Sequence, residues 1–420
     1  MATLTKIPLK NEYNSALPTV MHIDLNSCFA IIEQQANPLL RHKPVAIAAY
    51  DTPKGAIIAS SYEAKAKGVK LGVNVQEARK LAPNICIRMP DPAKYRDAHK
   101  RFKTVLMAYT SNVTPKSIDE FVIDFSDSPS LRAGKNMQQI GYNIKKDIKE
   151  YLGSYVTVNV GIGTNRFLAK TAAGLNKPDG LDTITSQNIR STFKNMCLQD
   201  LTGINIAYTA RLNAYGIFTP IQFLDTPAEK LVKNIFKSKV GYDWYLRLRG
   251  WEVDTRNFAT KSYGHQYALS KKTNNIKELS QILAKLCEKT GRRMRSNNYV
   301  AHGIHLWLRY SNYTAWAKGK SIPSELYATQ DIIVQAQRLL NNAPLPCKVT
   351  NMGVSVYKLQ PSLPLQQSLF NGTRLDSHSI ADATDIINNR YGEFTIVPGI
   401  MANMNDIILD RIAFGSIKNL

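Results

Sequence analysis

The chain has 420 residues, 44% apolar and 20% charged, with 54 Lys and Arg against 32 Asp and Glu, a balance of +22. That length calls for several domains, and the charge points to nucleic acid over an anionic membrane surface, since the basic residues are spread from Lys43 to Lys348. Five scattered cysteines (Cys28, Cys86, Cys197, Cys287 and Cys347) with no Cys-x-x-Cys pair argue against disulfides and a zinc site.

In chain order, Met1 to Pro18 is polar and carries no secretory signal. No later apolar run reaches the ~20 residues a bilayer requires, so a soluble cytoplasmic protein with no membrane partner is expected. Short strands are expected at Val20–Leu25, Val45–Tyr50, Ala56–Ser61 and Ile85–Met89. Tyr95–Asn112 has helical periodicity, with Phe102, Val105, Leu106 and Tyr109 on one face. Val113–Ile118 and Phe121–Phe125 read as two strands that meet at Asp119-Glu120. A basic amphipathic helix follows at Met137–Leu152, then a strand at Tyr155–Ile162 and a helix at Asn165–Asn176 that stops before Pro178. Strand, helix, strand, strand, helix, strand is the order of a ferredoxin-like split βαβ core, with 37–90 inserted into it. From 185 to 250 the pattern is helical, and 251–259 is a short polar linker. The stretch 260–360 returns to α+β, with helices at Ile276–Arg295 and Ser324–Leu340 and strands at Gly303–Leu308 and Met352–Tyr357. After Gln360 the composition turns to Pro, Ser and Gln, which marks a flexible tail over 361–420.

Lys116-Ser117-Ile118-Asp119-Glu120-Phe121-Val122-Ile123-Asp124-Phe125 is the most informative stretch. Asp119 and Glu120 stand beside an apolar run, and Asp24 closes another, so three acids sit among residues that favour burial. Acids so placed are costly unless a cation neutralises them. Two Mg²⁺ ions, which take hard oxygen ligands, suit such a set and an in-line displacement at phosphorus. Neighbouring strand residues point to opposite faces, so Asp119 and Glu120 converge only at a turn or bulge. Solvated acids at strand ends are the plainer alternative for an isolated Asp-Glu pair.

The surrounding motifs decide between them. Asp24-Leu25-Asn26-Ser27-Cys28-Phe29-Ala30, Ser61-Tyr62-Glu63-Ala64-Lys65-Ala66-Lys67-Gly68-Val69, Ser117-Ile118-Asp119-Glu120, Val160-Gly161-Ile162-Gly163-Thr164-Asn165-Arg166-Phe167-Leu168-Ala169-Lys170 and Asn176-Lys177-Pro178-Asp179-Gly180 occur in the order seen in Y-family translesion DNA polymerases of the bacterial type, which the chain resembles from Val20 to Leu359. The resemblance implies an α+β right-hand architecture: a ferredoxin-like palm (1–36 and 91–184), inserted fingers (37–90), a helical thumb with a helix-hairpin-helix (185–250) and an α+β little finger (260–360). It implies a low-fidelity, DNA-templated DNA polymerase of damage tolerance, acting as a monomer on primer-template DNA and deoxynucleoside triphosphates with two Mg²⁺. Asp24 and Asp119 would bridge both ions, Glu120 would bind the ion nearer the primer 3′-hydroxyl, and the Leu25 carbonyl would complete the other shell. Tyr62, Lys65 and Lys177 would hold the triphosphate, and Phe29 would be the steric gate that leaves no room for a 2′-hydroxyl. The chain departs from the family where Lys65 replaces an arginine, where Cys28 replaces an aromatic, and where Ala59 replaces a hydroxyl residue.

DNA contacts are expected from the turn at Gly203, where Asn205 replaces a second glycine, and from Lys271, Lys272, Arg292, Arg293 and Arg295. Gln366-Gln367-Ser368-Leu369-Phe370 resembles a sliding-clamp-binding peptide, with Gln366, Leu369 and Phe370 as anchors. Two further function classes stay open at this point. One is a non-catalytic scaffold that holds DNA and clamp; the other is a nucleotide cyclase on a similar palm, which leaves the thumb and basic C-terminal domain unexplained.

Overall fold

The computed structural model describes residues 12–134, 136–255, 259–362, 372–402 and 404. They form two compact units, one ending and the other beginning within 255–259.

The first unit starts with β1 (Val20–Leu25) and α1 (Cys28–Ala36). A small three-stranded domain is inserted next: β2 (Val45–Ala48), β3 (Ile57–Ser60), α2 (Tyr62–Ala66), α3 (Val75–Leu81) and β4 (Cys86–Arg88), in sheet order β3-β2-β4. Its core is built of small side chains, among them Ala46, Ala48, Ala64, Val69, Val75 and Ala78. The chain then returns through α4 (Pro92–Met107), β5 (Val113–Pro115), β6 (Glu120–Asp124), α5 (Pro129–Arg132), α6 (Met137–Leu152), β7 (Val158–Gly163), α7 (Arg166–Ala173) and β8 (Leu181–Ile184). The five-stranded sheet has the order β5-β6-β1-β7-β8. Without the edge strand β8, that is the antiparallel ferredoxin-like core, as expected.

The two faces of this sheet do different things. Met21, Ile23, Phe121, Ile123, Val160 and Ile162 join Phe102, Leu106, Ile140 and Ile144 of α4 and α6 in one core. Alternation turns His22 and Asp24 to the other face, where Asp24 stands opposite Glu120 in register. Helix α7 lies on this second face, with Ala169 against Val20 and Val122. Its approach is close because β7 carries Gly161: a Cβ there would meet the Ala169 carbonyl oxygen at 2.0 Å and the Ala173 nitrogen at 2.1 Å.

Five helices follow: α8 (Ile189–Lys194), α9 (Ile206–Asn213), α10 (Pro220–Asp225), α11 (Ala228–Lys230) and α12 (Val240–Leu248). Phe193, Leu212, Phe223, Leu231 and Trp244 share their core with Phe167 and Leu168 of α7. The first residues of the expected linker are held in place. The Asn165 side-chain amide donates to the Trp251 carbonyl at 2.9 Å, the Arg166 backbone N–H to Glu252 at 3.0 Å, and Arg247 Nε to Asp254 at 2.9 Å.

The second unit comprises β9 (Ser262–Thr273), α13 (Ile276–Arg295), β10 (Tyr299–Tyr310), β11 (Ala315–Leu326), α14 (Thr329–Asn341), β12 (Val349–Pro361) and α15 (Gly372–Tyr391). Its sheet is antiparallel, in order β11-β10-β12-β9, and α13 and α14 pack on it. Two expectations are corrected here. The helix expected from Ser324 starts at Thr329, because β11 runs through Leu326; Lys318, Gly319, Lys320 and Pro323 suit an edge strand and mask its pattern. The expected flexible tail contains α15, which packs on α13. Arg295 is buried, and its Nε and Nη2 donate to the two Asp385 oxygens at 2.7 and 2.9 Å. Arg292 donates to Asn389 at 2.9 Å and pairs with Glu393 at 3.4 Å.

A buried guanidinium left without its carboxylate is strongly destabilising. Asp385→Ala is therefore expected to lower stability by ~3 kcal/mol in urea unfolding. A loss below about 0.5 kcal/mol, the range of an exposed pair, would contradict this.

Candidate active site

The three acids stand on the backbone where β1, β6 and the 116–119 turn come together. Asp119 is the last residue of that turn and Glu120 the first of β6, so the pair straddles the strand-turn junction. The Leu25 N–H donates to the Asp119 carbonyl at 2.9 Å, which fixes the end of β1 to the turn. The Ser117 hydroxyl donates to Asp119 Oδ1 at 2.5 Å. Burial, opposed by the Ser117 hydrogen bond and reinforced by Asp24 and Glu120, pushes the Asp119 carboxyl up to about 6. Burial also raises Asp24, opposed by Lys177.

Each of the other two acids carries a lysine. Lys177 is ion-paired with Asp24 Oδ2. Lys170, brought down by the close approach of α7, donates to both Glu120 oxygens at 2.7 and 3.0 Å. Lys170 was not singled out from the sequence, although it stands in the quoted stretch Val160–Lys170; only the α7 packing shows where it points. Buried His22 lies 3.9 Å from Glu120, and its Nδ1 has no hydrogen-bond partner. Burial and the surrounding lysines push its imidazole down to about 3, so it is neutral at working pH. Among the described residues, no three His, Cys, Asp or Glu side chains converge as a ready-made metal cage. The carboxylates lie on adjacent backbone positions, but the lysines engage Asp24 and Glu120. The donor set is all hard oxygen, which fits Mg²⁺ in kind.

The loop after β1 gathers the expected phosphate-binding groups. Lys65 Nζ donates to the Ser27 hydroxyl at 2.7 Å and lies 4.5 Å from the Tyr62 ring centre. Burial and the neighbouring Lys177 lower the Lys65 ammonium. The Lys177 loop is tied down by asparagines: Asn26 accepts from the Asp179 N–H at 2.9 Å, and its amide donates to Asn159 at 2.8 Å. Cys28 is buried beside Asp24 and Asp119, and burial raises its thiol well above the ordinary range, in keeping with a small core residue.

Phe29 is buried on α1, its ring stacked on Tyr95 with centres 4.2 Å apart and planes at 9°. Tyr95 is in turn fixed: its hydroxyl donates to Glu33 at 3.1 Å, and Lys94 holds both Glu33 oxygens at 2.9 Å. The ring's position is thus set by a buried polar network that sequence periodicity does not reveal.

The remaining expected contacts divide. Gly203 adopts φ +96° in its turn, and Asn205 caps α9, accepting the Tyr208 N–H at 2.9 Å. The residue that departs from the glycine pattern therefore has a helix-starting role. Lys271 and Lys272 are exposed, while Arg293 lies 5.9 Å from the Tyr263 ring. Arg292 and Arg295 are engaged by α15, so the reading of these two as open phosphate contacts is corrected: their charges are already compensated within the unit. Gln366, Leu369 and Phe370 lie outside the described residues.

A carboxyl raised on folding binds a proton more tightly in the native state, so its contribution to stability is present below the unfolded value near 3.8 and is lost as pH rises through about 6. Asp119→Asn is therefore expected to raise the metal-free thermal midpoint at pH 7.5 and to leave it nearly unchanged at pH 4. A midpoint that is lowered at both pH values would contradict this.

A model of the impB/mucB/samB family matches residues 23–174, and that of the family's C-terminal domain matches 260–369. DNA polymerase IV of Moorella thermoacetica is 31% identical over 386 residues, covering 90% of this chain and 94% of that protein. DNA polymerase IV of Staphylococcus aureus is 28% identical over 358 residues, covering 84% and 98%. Two solved structures share the fold. A Y-family DNA polymerase chimera of Dbh and Dpo4 aligns with a TM-score of 0.70 at 23% identity, covering 81% of this chain and 98% of that one. An insertion ternary complex of Dbh DNA polymerase aligns at 0.55 and 22%, covering 80% and 98%. Two family models in series and a relative alignable along nearly its whole length establish that the chain belongs to the impB/mucB/samB family, the bacterial-like Y-family DNA polymerases.

Proposed function

We infer that the protein is a DNA-templated DNA polymerase that adds deoxynucleotides to a primer 3′-hydroxyl by a two-metal mechanism, at low fidelity and in the service of translesion synthesis. The observation that carries the reading is the junction of Asp24, Asp119 and Glu120 at one sheet end, flanked by Lys65, Lys177 and Tyr62.

Asp24, Asp119, Glu120 and the Leu25 carbonyl would hold two Mg²⁺ ions. Held there, they would supply activation of the attacking hydroxyl and screening of the leaving pyrophosphate. The chain's own residues do the rest. Lys65 and Lys177 supply mobile point charges, and Tyr62 a directional hydroxyl, for the triphosphate. The start of α1 adds its N-terminal partial charge to the same place. Phe29, backed by Tyr95, bounds the sugar side and disfavours a 2′-hydroxyl. Primer-template DNA would be held through phosphates, with the Gly203 turn and exposed Lys271 and Lys272 among the contacts. Each neutralised phosphate should steepen the salt slope by about 0.9 on duplex DNA. The Gln366–Phe370 peptide would engage the sliding clamp, and the polymerase would act as a cytoplasmic monomer.

Primer extension with Mg²⁺ tests the reading. Asp119→Ala is expected to lose at least ~10³-fold in rate, the scale of removing a group that stabilises a charged transition state. Extension at the wild-type rate would refute it. Phe29→Ala is expected to raise ribonucleotide incorporation; unchanged sugar discrimination would remove the gate role. Deleting Gln366–Phe370 is expected to abolish stimulation by the clamp while sparing unaided synthesis.

A further inference from the structure

Two observations in the acidic site go together. The oxygens of Asp24 and Glu120 are engaged by ammonium groups, and the three acids do not form a ready-made cage. Lys170 and Lys177 arrive from different elements, α7 and the loop after it, yet each ends on a carboxylate of neighbouring strands. Both contacts are open at the lysine end, each lysine side chain being 35% exposed, and more sheltered at the acid. The Glu120 side chain is 20% exposed and the Asp24 side chain 17%, and α7 is pressed to the sheet at Gly161.

We propose that Lys170 and Lys177 are resident counter-ions of the metal-binding carboxylates, and that divalent-cation loading is an exchange in which the cation takes the oxygens these ammonium groups hold. The proposal rests on the two-metal reading above and adds positioning roles to it. An ammonium on a carboxylate oxygen both fills a coordination direction and repels an incoming cation. Removing the ammonium must therefore favour the cation-bound state, and by linkage any ligand that draws the lysine away does the same. A triphosphate is such a ligand for Lys177, since it presents anionic oxygens to an ammonium already flanked by Lys65. Lys170 sits on α7, and its carboxylate, Glu120, is claimed through both oxygens. The two lysines thus keep a strongly anionic site neutralised in the absence of substrate. They also link cation affinity to the presence of nucleotide through Lys177.

The test is Mn²⁺ binding to the full chain without DNA or nucleotide, followed by electron paramagnetic resonance. Lys170→Met and Lys177→Met are each expected to bind Mn²⁺ about fivefold tighter than wild type, the size of one partly screened ion pair. Lys170→Arg and Lys177→Arg, which keep the charge, are expected to stay within about twofold. Lys146→Met removes the same charge from an exposed lysine of α6 that pairs with Glu150, and is also expected to stay within about twofold. A misfolded variant would lose Mn²⁺, the opposite sign. A second measurement uses wild type alone: saturating Mn²⁺ should raise acylation of Lys170 and Lys177 by an amine-reactive reagent severalfold, read by mass spectrometry. Unchanged Mn²⁺ affinity in Lys170→Met and Lys177→Met, an equal gain in Lys146→Met, or unchanged acylation would overturn the counter-ion roles. A wild-type chain that extends primers with Mg²⁺ while giving those results would leave the polymerase reading standing. One that neither binds Mn²⁺ nor extends would overturn both.

Discussion

The constraint on which the first unit depends is the cost of keeping three carboxylates near one another at the half-buried end of a sheet. Burial raises a carboxyl's proton affinity, as Asp119 shows, and the neighbouring charges of Asp24 and Glu120 add to it. The fold meets this cost locally. The Ser117 hydroxyl holds Asp119, Lys177 pairs with Asp24, and Lys170 pairs with Glu120. The last of these exists because α7 lies against β7 at a distance only a glycine permits. A backbone feature of the Gly161-Ile162-Gly163 strand thus determines the electrostatics of a residue on another strand, Glu120.

The sequence made the skeleton of this site legible and left its support hidden. Helices with a clear polar face were legible to the residue: Met137–Leu152 and Ile276–Arg295 have the expected bounds, since each buries one stripe. Helix α1 was not singled out, because nearly every residue from Cys28 to Gln34 is buried and no periodicity shows. Edge strands β8 and β11 escaped for the reverse reason, being half-buried or exposed along most of their length. The acids, Tyr62, Lys65 and Lys177 could be named because their types and order match the family's motifs. Lys170 on Glu120 and the Glu33–Tyr95–Lys94 network behind Phe29 could not, since their partners lie 50 to 62 positions away along the chain.

The arginines of α13 show how charge density misleads when it is read alone. Arg292, Arg293 and Arg295 form a dense cationic cluster, which by composition resembles a phosphate-binding stripe. Helical geometry gives them unequal surroundings. Arg295 turns inward to Asp385, and Arg292 reaches Asn389 and Glu393. The acids that compensate them stand far along the chain, beyond a stretch whose composition suggests no fixed structure. Overall charge identifies the partner class; it does not say which cations are available to it.

The inserted three-stranded domain has a consequence of another kind. Alanines and valines make up most of its interior, so it buries little apolar area per residue, and its strands are only three or four residues long. Resistance to local opening scales with such burial. Backbone amides of β2 and β3 should therefore exchange their protons with solvent sooner than those of β1 and β7, leaving the lysine and tyrosine of α2 mounted on a less rigid support than the acids.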